Sequence, residues 1–178
     1  MRSRSIRSFA VSVLCMGAIA CHSAKESLAA PPKEVGKLGQ LVGKWHSKSR
    51  RLATSLNDTS PLTEFNFECR WTLDKYDIAC SQVADIGGQK VREVDVFGYS
   101  EHAKLYTMMV VLDVGVSSPR IFSRWFAWDK DTWRFLPQDG LRSTWEIKSP
   151  DYHLTRTERS GDGINWTVSS TGEHRRLP

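Results

Sequence analysis

The stretch FNFECRWTL, residues 65–73, alternates apolar and polar side chains at every position, and this pattern decides the fold class. A period of two is typical of a β-strand that buries one face and exposes the other. Similar short segments recur from Lys44 to Arg176, separated by turn signals such as Gly87-Gly88 and Asp162-Gly163. Because no helical pattern lies between these segments, the sequence predicts an antiparallel meander rather than an α/β fold.

We therefore predict an all-β fold, a closed up-and-down antiparallel barrel of about 8–10 strands with a short N-terminal helix capping one end. The helix is predicted from Lys33 to Val42, because Val35, Leu38 and Leu41 fall at helical spacing. Closure would remove the exposed strand edges that invite aggregation. The predicted strands are Lys44–Leu52, Phe65–Leu73, Tyr76–Ala84, Val91–Tyr99, Leu105–Val114, Arg120–Asp129, Trp133–Leu136, Leu141–Lys148, Tyr152–Arg159 and Asn165–Arg176.

The N-terminal region has the pattern of an export signal. Three arginines precede an apolar run at 9–20, which is too short to cross a hydrocarbon core of about 30 Å. Ala18 and Ala20 satisfy the small-residue spacing of a cleavage site, and Cys21 follows directly, as in a bacterial lipobox. The sequence thus predicts export to the periplasm or cell envelope. Cys21 is either the lipidated N-terminus of a lipoprotein or a chance neighbour of an ordinary cleavage site.

These patterns divide the chain into a signal peptide at 1–20, a tether at 21–35 and a single barrel domain at 36–178. The formal net charge of +5 comes mainly from the signal, because residues 1–20 contain three arginines and no acid. The remaining charges of both signs are interspersed rather than collected in a stripe, so no nucleic-acid partner is predicted. The membrane is expected to be contacted through the N-terminal lipid only.

Cys69 and Cys80 are equally distant from the predicted turn at Asp74-Lys75. Cross-strand Cβ atoms lie about 4.5–5.5 Å apart, which is near the geometry of a disulfide. Since disulfides persist in exported proteins, we predict a Cys69–Cys80 bond. The alternative is a pair of buried free thiols, which behave as small hydrophobic side chains.

The candidate binding residues come from counting alternate positions along the predicted strands. If the apolar members point inward, Trp145, Tyr152, Arg156, Glu158 and His174 share the barrel interior. Buried charges need a partner or a ligand, so this cluster either orients the head group of a ligand or forms an internal ion pair. Together with two further aromatic residues of the expected cavity wall, the predicted ligand-binding set is Trp71, Trp125, Trp145, Tyr152, Arg156, Glu158 and His174.

The segment 105–112 is apolar on both faces, which is unusual for a strand with one wet side. Two interpretations remain open: the outer face forms a homodimer, or the N-terminal helix covers it. The five histidines show no paired metal-ligand spacing, so no metal is predicted. The sequence also contains no Gly-x-Ser-x-Gly motif and no phosphate-binding glycine loop.

Gly43-Lys44-Trp45 after a short helix, with Arg175 or Arg176 in the closing strand, resembles the calycin signature of lipocalins and fatty-acid-binding proteins. This resemblance implies that Gly43 and Trp45 open the barrel and that one of the arginines packs over the tryptophan. Residues 36–176 are also similar to an uncharacterised bacterial family of lipocalin-like domains. The matching pieces are Leu41–Trp45, Phe97–Ser100, Lys104–Tyr106 with Asp113, and Ser160–Trp166.

The resemblance extends distantly to the nitrobindins, which bind haem through a histidine of the barrel. The neighbours of His174 do not reproduce that pattern, so we expect no cofactor. The first functional hypothesis is an exported barrel that binds a small apolar or amphipathic molecule. The alternatives are an isomerase- or hydratase-type enzyme that uses the Glu158–His174–Arg156 cluster, and a dry barrel that serves as an interaction module of the cell envelope.

Overall fold

The computed structural model describes residues 30–52, 62–72, 75–86, 88–113 and 119–178. These residues form a closed barrel of ten antiparallel strands, with one 3-10 helix, Lys33–Leu41, ahead of the first strand. The predicted fold class is thus confirmed. The strands are β1 Gly43–Arg51, β2 Leu62–Thr72, β3 Asp77–Ile86, β4 Gln89–Ser100, β5 Leu105–Asp113, β6 Arg120–Asp129, β7 Thr132–Gln138, β8 Leu141–Ser149, β9 Tyr152–Arg159 and β10 Thr167–Arg176.

Each strand pairs with its sequence neighbours, and β1 pairs with β10 to close the barrel. In the closing ladder Trp45 lies opposite Arg176, and Ser47 lies opposite His174. Directly opposite residues of an antiparallel ladder share a face, so the register carries one inward-facing set of side chains around the whole barrel. This inward set includes Trp45, Phe97, Phe126 and Trp133, each at most 1% exposed.

The 3-10 helix closes one end of the barrel. Its buried residues, Val35, Leu38 and Leu41, recur every three positions, which matches the three-residue turn of a 3-10 helix. The three side chains join the same core cluster as Trp45. The Tyr106 hydroxyl donates a hydrogen bond of 3.0 Å to the backbone carbonyl of Glu34. The predicted end-capping helix is therefore confirmed.

Cys69 and Cys80 lie opposite each other in the β2–β3 ladder and form a disulfide. Both residues are buried, at 1% and 5% exposure, and the bond lies in the inward-facing core. The predicted Cys69–Cys80 bond is confirmed, and the alternative of two free thiols is excluded.

The outer face of β5 is not covered by the N-terminal helix. Met109 is 42% exposed, and Val94 and Ile121, which lie opposite the outward-facing Val111 on the adjacent strands, are 40% and 69% exposed. The helix packs at the barrel end instead, against inward-facing residues such as Tyr106. Of the two interpretations of segment 105–112, cover by the helix is wrong, and the homodimer stays a prediction.

The predicted signal peptide and Cys21 lie outside the described residues. Among the residues that the structure describes, no helix has both the length and the apolar character to cross a membrane.

Candidate functional site

The helix-capped end of the barrel is sealed by Trp45 and Arg176. The Arg176 guanidinium lies 4.4 Å from the Trp45 ring centroid. It donates hydrogen bonds to the backbone carbonyls of Val42 and Gln40 and forms an ion pair of 2.9 Å with Asp151. Trp45 Nε1 in turn donates to the carbonyl of Leu41 at 2.7 Å. The guanidinium therefore ties the end of the helix to the last strand and covers the tryptophan.

Gly43 and Arg175 are the other two residues for which the calycin resemblance predicts a role at this end of the barrel. Gly43 has a φ of +133°, and a Cβ atom there would collide with Arg176 Nη1. The Arg175 side chain points the opposite way, and its guanidinium stacks 4.3 Å from the ring centroid of Tyr152 on the outer surface. Of the two candidate arginines, Arg176 is thus the one that packs over Trp45.

A cavity of about 290 Å³ lies in the half of the barrel away from the helix. Its floor is aromatic: Phe97 and Trp145 lie 6.3 Å apart between ring centroids, and Phe67 contacts His174 edge to face at 5.4 Å. Its walls carry polar side chains from opposite sides of the barrel, namely Gln82, Glu93, Asp95, Ser143, Thr155 and Thr157. The cavity therefore combines an apolar base with a hydrogen-bonding wall, the combination that small-molecule pockets share.

Glu93 and Asp95 form the acidic part of this wall. They occupy alternate positions of β4, so they project to the same inner face, opposite Gln82 and Cys80 of β3. Burial, and to a smaller extent the neighbouring charge of Glu93, raise the pKa of Asp95 to about 8. Burial also raises the pKa of Glu93, although hydrogen bonds from Asp95 and Gln82 lower it in part. The two carboxyl groups consequently share a proton at neutral pH, because two adjacent buried carboxylates would repel each other.

One carboxyl oxygen of Asp95 accepts no hydrogen bond from the described residues. This atom, Oδ1, is buried. A buried polar atom without a partner costs free energy, on the order of 1–3 kcal/mol. A molecule in the cavity that donates a hydrogen bond to this atom would remove that cost.

His153 of β9 lies opposite His174 of β10. His174 is part of the cavity floor, and His153 lies below it. His153 is fully buried, 4.4 Å from Trp45 between ring centroids. The pKa of each imidazole is lowered to about 4, mainly by burial; the Arg176 guanidinium contributes to the shift of His153, and His153 contributes to that of His174. Both rings are therefore neutral at pH 7. Within the described part of the chain, both ring nitrogens of His153 and Nδ1 of His174 have no hydrogen-bond partner.

Arg124 is an inward-facing cation close to the opposite wall. Its guanidinium lies 4.9 Å from the Phe135 ring centroid and donates a hydrogen bond of 3.3 Å to the Ser143 hydroxyl. Ser143 and Thr157 are also within hydrogen-bond distance of each other, at 3.1 Å. Burial lowers the pKa of Arg124. Arg124 thus contacts an aromatic ring and a hydroxyl, but its Nη2 atom is buried and has no hydrogen-bond partner among the described residues. The described residues also give it no ion pair with Glu93 or Asp95.

The structure brings together two members of the predicted ligand-binding set. Trp145 and His174 both line the cavity, with ring centroids 5.1 Å apart. Trp71 also faces inward, opposite Ile78, but it packs near Gly39 at the helix-capped end rather than in the cavity. Its role is therefore in the seal of the barrel.

The predicted inward orientation of Tyr152, Arg156 and Glu158 is wrong. A register shift near the end of β8 sets Ile147 opposite His153, so His153 takes the inward position and Tyr152 faces outward. The Tyr152 hydroxyl donates to Glu173 on the surface.

Glu158 lies between Arg142 and Arg156 on the outer face, with ion-pair distances of 2.6 and 2.8 Å. These two hydrogen bonds lower the pKa of Glu158. Glu158 and His174 are consequently on opposite faces of the barrel wall, and the predicted acid–base cluster of Glu158, His174 and Arg156 is not formed.

Trp125 also points outward, opposite Thr107, and is 40% exposed. The prediction that it lines the cavity is wrong because apolar residues occupy both faces of β6 at this point. Phe126 and Trp128 take the inward positions, and the pattern of apolar residues alone does not distinguish the two faces.

Sequence reasoning missed Glu93, Asp95 and Gln82. The sequence contained a signal for the two acids. Glu93 and Asp95 occupy the same alternating positions of β4 as the aromatic residues Phe97 and Tyr99, so all four side chains project to the same face of the strand. Asp95 also falls opposite Cys80, whose inward orientation follows from the disulfide. Among the described residues, no group of three or more histidine, cysteine, aspartate or glutamate side chains is arranged to hold a metal ion.

These features define the chain as a closed antiparallel β-barrel with an internal pocket, a fold compatible with ligand binding. The crystal structure of Rv2717c from M. tuberculosis is similar, with a TM-score of 0.55 and 11% sequence identity over 84% of this chain and 100% of that chain. No protein-family model and no curated protein matches the sequence. The structural likeness supports the barrel fold alone, and membership of a lipocalin-like family stays a prediction.

Proposed function

We propose that this protein binds a small amphipathic molecule inside the barrel. The observation that carries the proposal is the cavity of about 290 Å³, which has aromatic side chains at its base and polar side chains on its walls. A pocket of this size is near the lower limit of about 300–1,000 Å³ for small-molecule sites. The existence of such a space argues against a dry barrel whose tryptophans fill the whole interior.

The shape and chemistry of the cavity favour a compact ligand. An apolar part of the ligand would pack against Phe97 and Trp145, and a polar part would reach the wall that carries Glu93 and Asp95. A haem fits this space poorly, because its macrocycle is broad whereas the cavity has a volume of only about 290 Å³. We therefore propose no haem and derive no step that requires one.

The proposal is tested by isothermal titration calorimetry with 2-phenylethanol and 1-hexanol as probes, alongside native mass spectrometry of protein purified from its own host. We expect saturable binding of one molecule per chain. Thr157→Leu places a larger apolar side chain in the cavity wall and should abolish binding. Thr171→Leu makes the same change at an exposed outer position of β10 and should leave binding unchanged.

Failure of both probes to bind, together with the absence of a co-purifying small molecule, would contradict the proposal. Equal binding by Thr157→Leu and Thr171→Leu would show that the probes bind outside the cavity. Circular dichroism of each variant establishes that it has folded.

We further propose that the chain is exported and anchored through a lipid on Cys21. The arginine-rich start, the apolar run at 9–20 and the small residues before Cys21 support this localisation. The Cys69–Cys80 disulfide is consistent with an oxidising compartment. The test is metabolic labelling with a radioactive fatty acid, in which the full-length chain should incorporate label in the envelope fraction and Cys21→Ser should not. Labelling of neither chain would contradict the anchor.

A further inference from the structure

We infer that the ligand of the cavity carries an organic ammonium group, which binds the Glu93–Asp95 pair while its apolar part packs against Phe97 and Trp145. This inference rests on the proposed function and names the chemical class of the ligand. The geometry that carries it is the meeting of an acidic wall and an aromatic base within one small cavity.

The acidic wall is the first step of the argument. Glu93 and Asp95 project from alternate positions of one strand, and both line the cavity. Asp95 Oδ1 is buried and unpartnered among the described residues. An ammonium group supplies up to three N–H donors and one positive charge, so it satisfies both carboxylates at once. A neutral hydroxyl supplies a single donor and no positive charge, so it cannot replace the proton that the pair shares.

The aromatic base is the second step. The rings of Phe67, Phe97 and Trp145 line the same cavity as the two acids. Aromatic faces attract cations, and the effect is largest where water is excluded. The same rings bury the hydrocarbon part of the ligand, so one set of residues favours both halves of an amphipathic amine.

A buried polar side chain that faces the same space gives the third step. His174 lines the cavity, is 8% exposed, and its Nδ1 has no hydrogen-bond partner in the described residues. Its imidazole is neutral at pH 7, because burial lowers its pKa to about 4. A neutral imidazole does not repel a cation, so the cavity floor remains compatible with an ammonium ligand.

The protonation of the Glu93–Asp95 pair on ligand binding depends on the other side chains that face it. Gln82 of β3 is neutral, and the inward β5 side chains Met108, Val110 and Leu112 are apolar. Arg124 of β6 bonds Ser143 through Nη1 and lies over Phe135, while its Nη2 atom is buried and has no hydrogen-bond partner among the described residues. Without a ligand, a proton partly neutralises the pair. When the ammonium enters, that proton leaves for solvent and the ligand's positive charge takes its place, with no covalent bond formed or broken in the ligand.

The experiment compares three probes of similar size and different charge: 2-phenylethylamine, 2-phenylethanol and 3-phenylpropanoate. Titration calorimetry at pH 7 should give an affinity at least tenfold higher for the amine than for the alcohol, and the weakest binding for the carboxylate. The amine's binding enthalpy should differ between phosphate and Tris buffers, because protons released on binding are taken up by the buffer. The alcohol's enthalpy should not differ.

Asp95→Asn should reduce the preference for the amine over the alcohol to less than threefold and remove the dependence on buffer. Glu93→Gln serves as the second variant and should act in the same direction. Asp129→Asn makes the same chemical change at an exposed residue of β6 and should leave all three affinities unchanged.

Equal affinities for amine and alcohol in the unmodified protein would overturn this inference but leave the proposed function standing. Tighter binding of the carboxylate would also overturn it, and would assign the polar contact to Arg124. Binding by none of the three probes, the alcohol included, would count against the inference and the proposed function together.

Discussion

The guanidinium of Arg176 lies 4.4 Å from the ring centroid of Trp45, across the ladder that joins the last strand to the first. It also donates to carbonyl groups at the end of the helix and in the β8–β9 turn. Three separate segments of the chain thus meet at one side chain. We expect the seal to be a major contributor to stability, because hydrogen bonds to charged groups are stronger than neutral ones.

Replacement of Arg176 should therefore be far more costly than replacement of its neighbour. Arg176→Ala is expected to lower the free energy of unfolding by about 2–4 kcal/mol, since it removes the cation–π contact and leaves several carbonyls without their donor. Arg175→Ala removes an exposed contact with Tyr152 and should cost less than about 1 kcal/mol. Urea denaturation of both variants measures the difference, and equal losses would show that the seal is not specific to Arg176.

Gly43→Ala tests the same region through the backbone. The φ of +133° disfavours any residue with a Cβ, and the added methyl would meet the Arg176 guanidinium. We expect a loss of about 2 kcal/mol or more in the free energy of unfolding. Gly36→Ala is the control, because a Cβ at this helical position would meet none of the described residues within 4 Å. That control should be neutral or slightly stabilising. A similar loss in both variants would contradict the explanation.

The buried histidines should make the protein sensitive to acid. The pKa of His153 is about 4 in the folded state, below its value of about 6.5 in the unfolded chain. Between these values the unfolded state binds more protons, so stability falls as pH decreases from about 6.5 towards 4, by on the order of a few kcal/mol. His153→Phe should keep or raise the melting temperature at pH 7, because no described residue bonds the ring nitrogens.

The same variant should weaken the dependence of the melting temperature on pH across this window. The control is His46→Phe. His46 is partly exposed and lies on the outer face next to Asn66 and Glu64, so its replacement should leave the acid sensitivity in place. Identical pH profiles for His153→Phe and the unmodified protein would show that His153 does not cause the sensitivity.

Asp95 should have the opposite dependence on pH. Its pKa is raised to about 8 in the folded state, so the folded protein binds more protons than the unfolded chain between about pH 4 and 8. Stability attributable to this group therefore decreases as pH rises through that window. Asp95→Asn should raise the melting temperature, with a gain that is small at pH 4 and largest at pH 8. A gain that did not change with pH would contradict this account.

Much of the fold was predictable because its determinants are local. The two cysteines lie at equal distances from a turn, so the pairing of β2 with β3 and their bond followed from spacing. The orientation of β9 was not predictable in this way. A register shift near Lys148 exchanges the inward and outward positions, and the apolar character of Tyr152 and Leu154 favours the wrong face. The acidic pair was missed because charged residues are uncommon at inward-facing positions of a strand. A search for apolar residues at alternate positions does not detect them.

The helix and the C-terminal end of β10 meet at the sealed end of the barrel, and the cavity lies in the half beyond it. A lipid on Cys21 would therefore attach the protein to the membrane at the sealed end of the barrel. The binding compartment would then face the surrounding aqueous space rather than the bilayer, so cargo would be exchanged with freely diffusing molecules or with a second protein, and not drawn directly out of the membrane that holds the anchor.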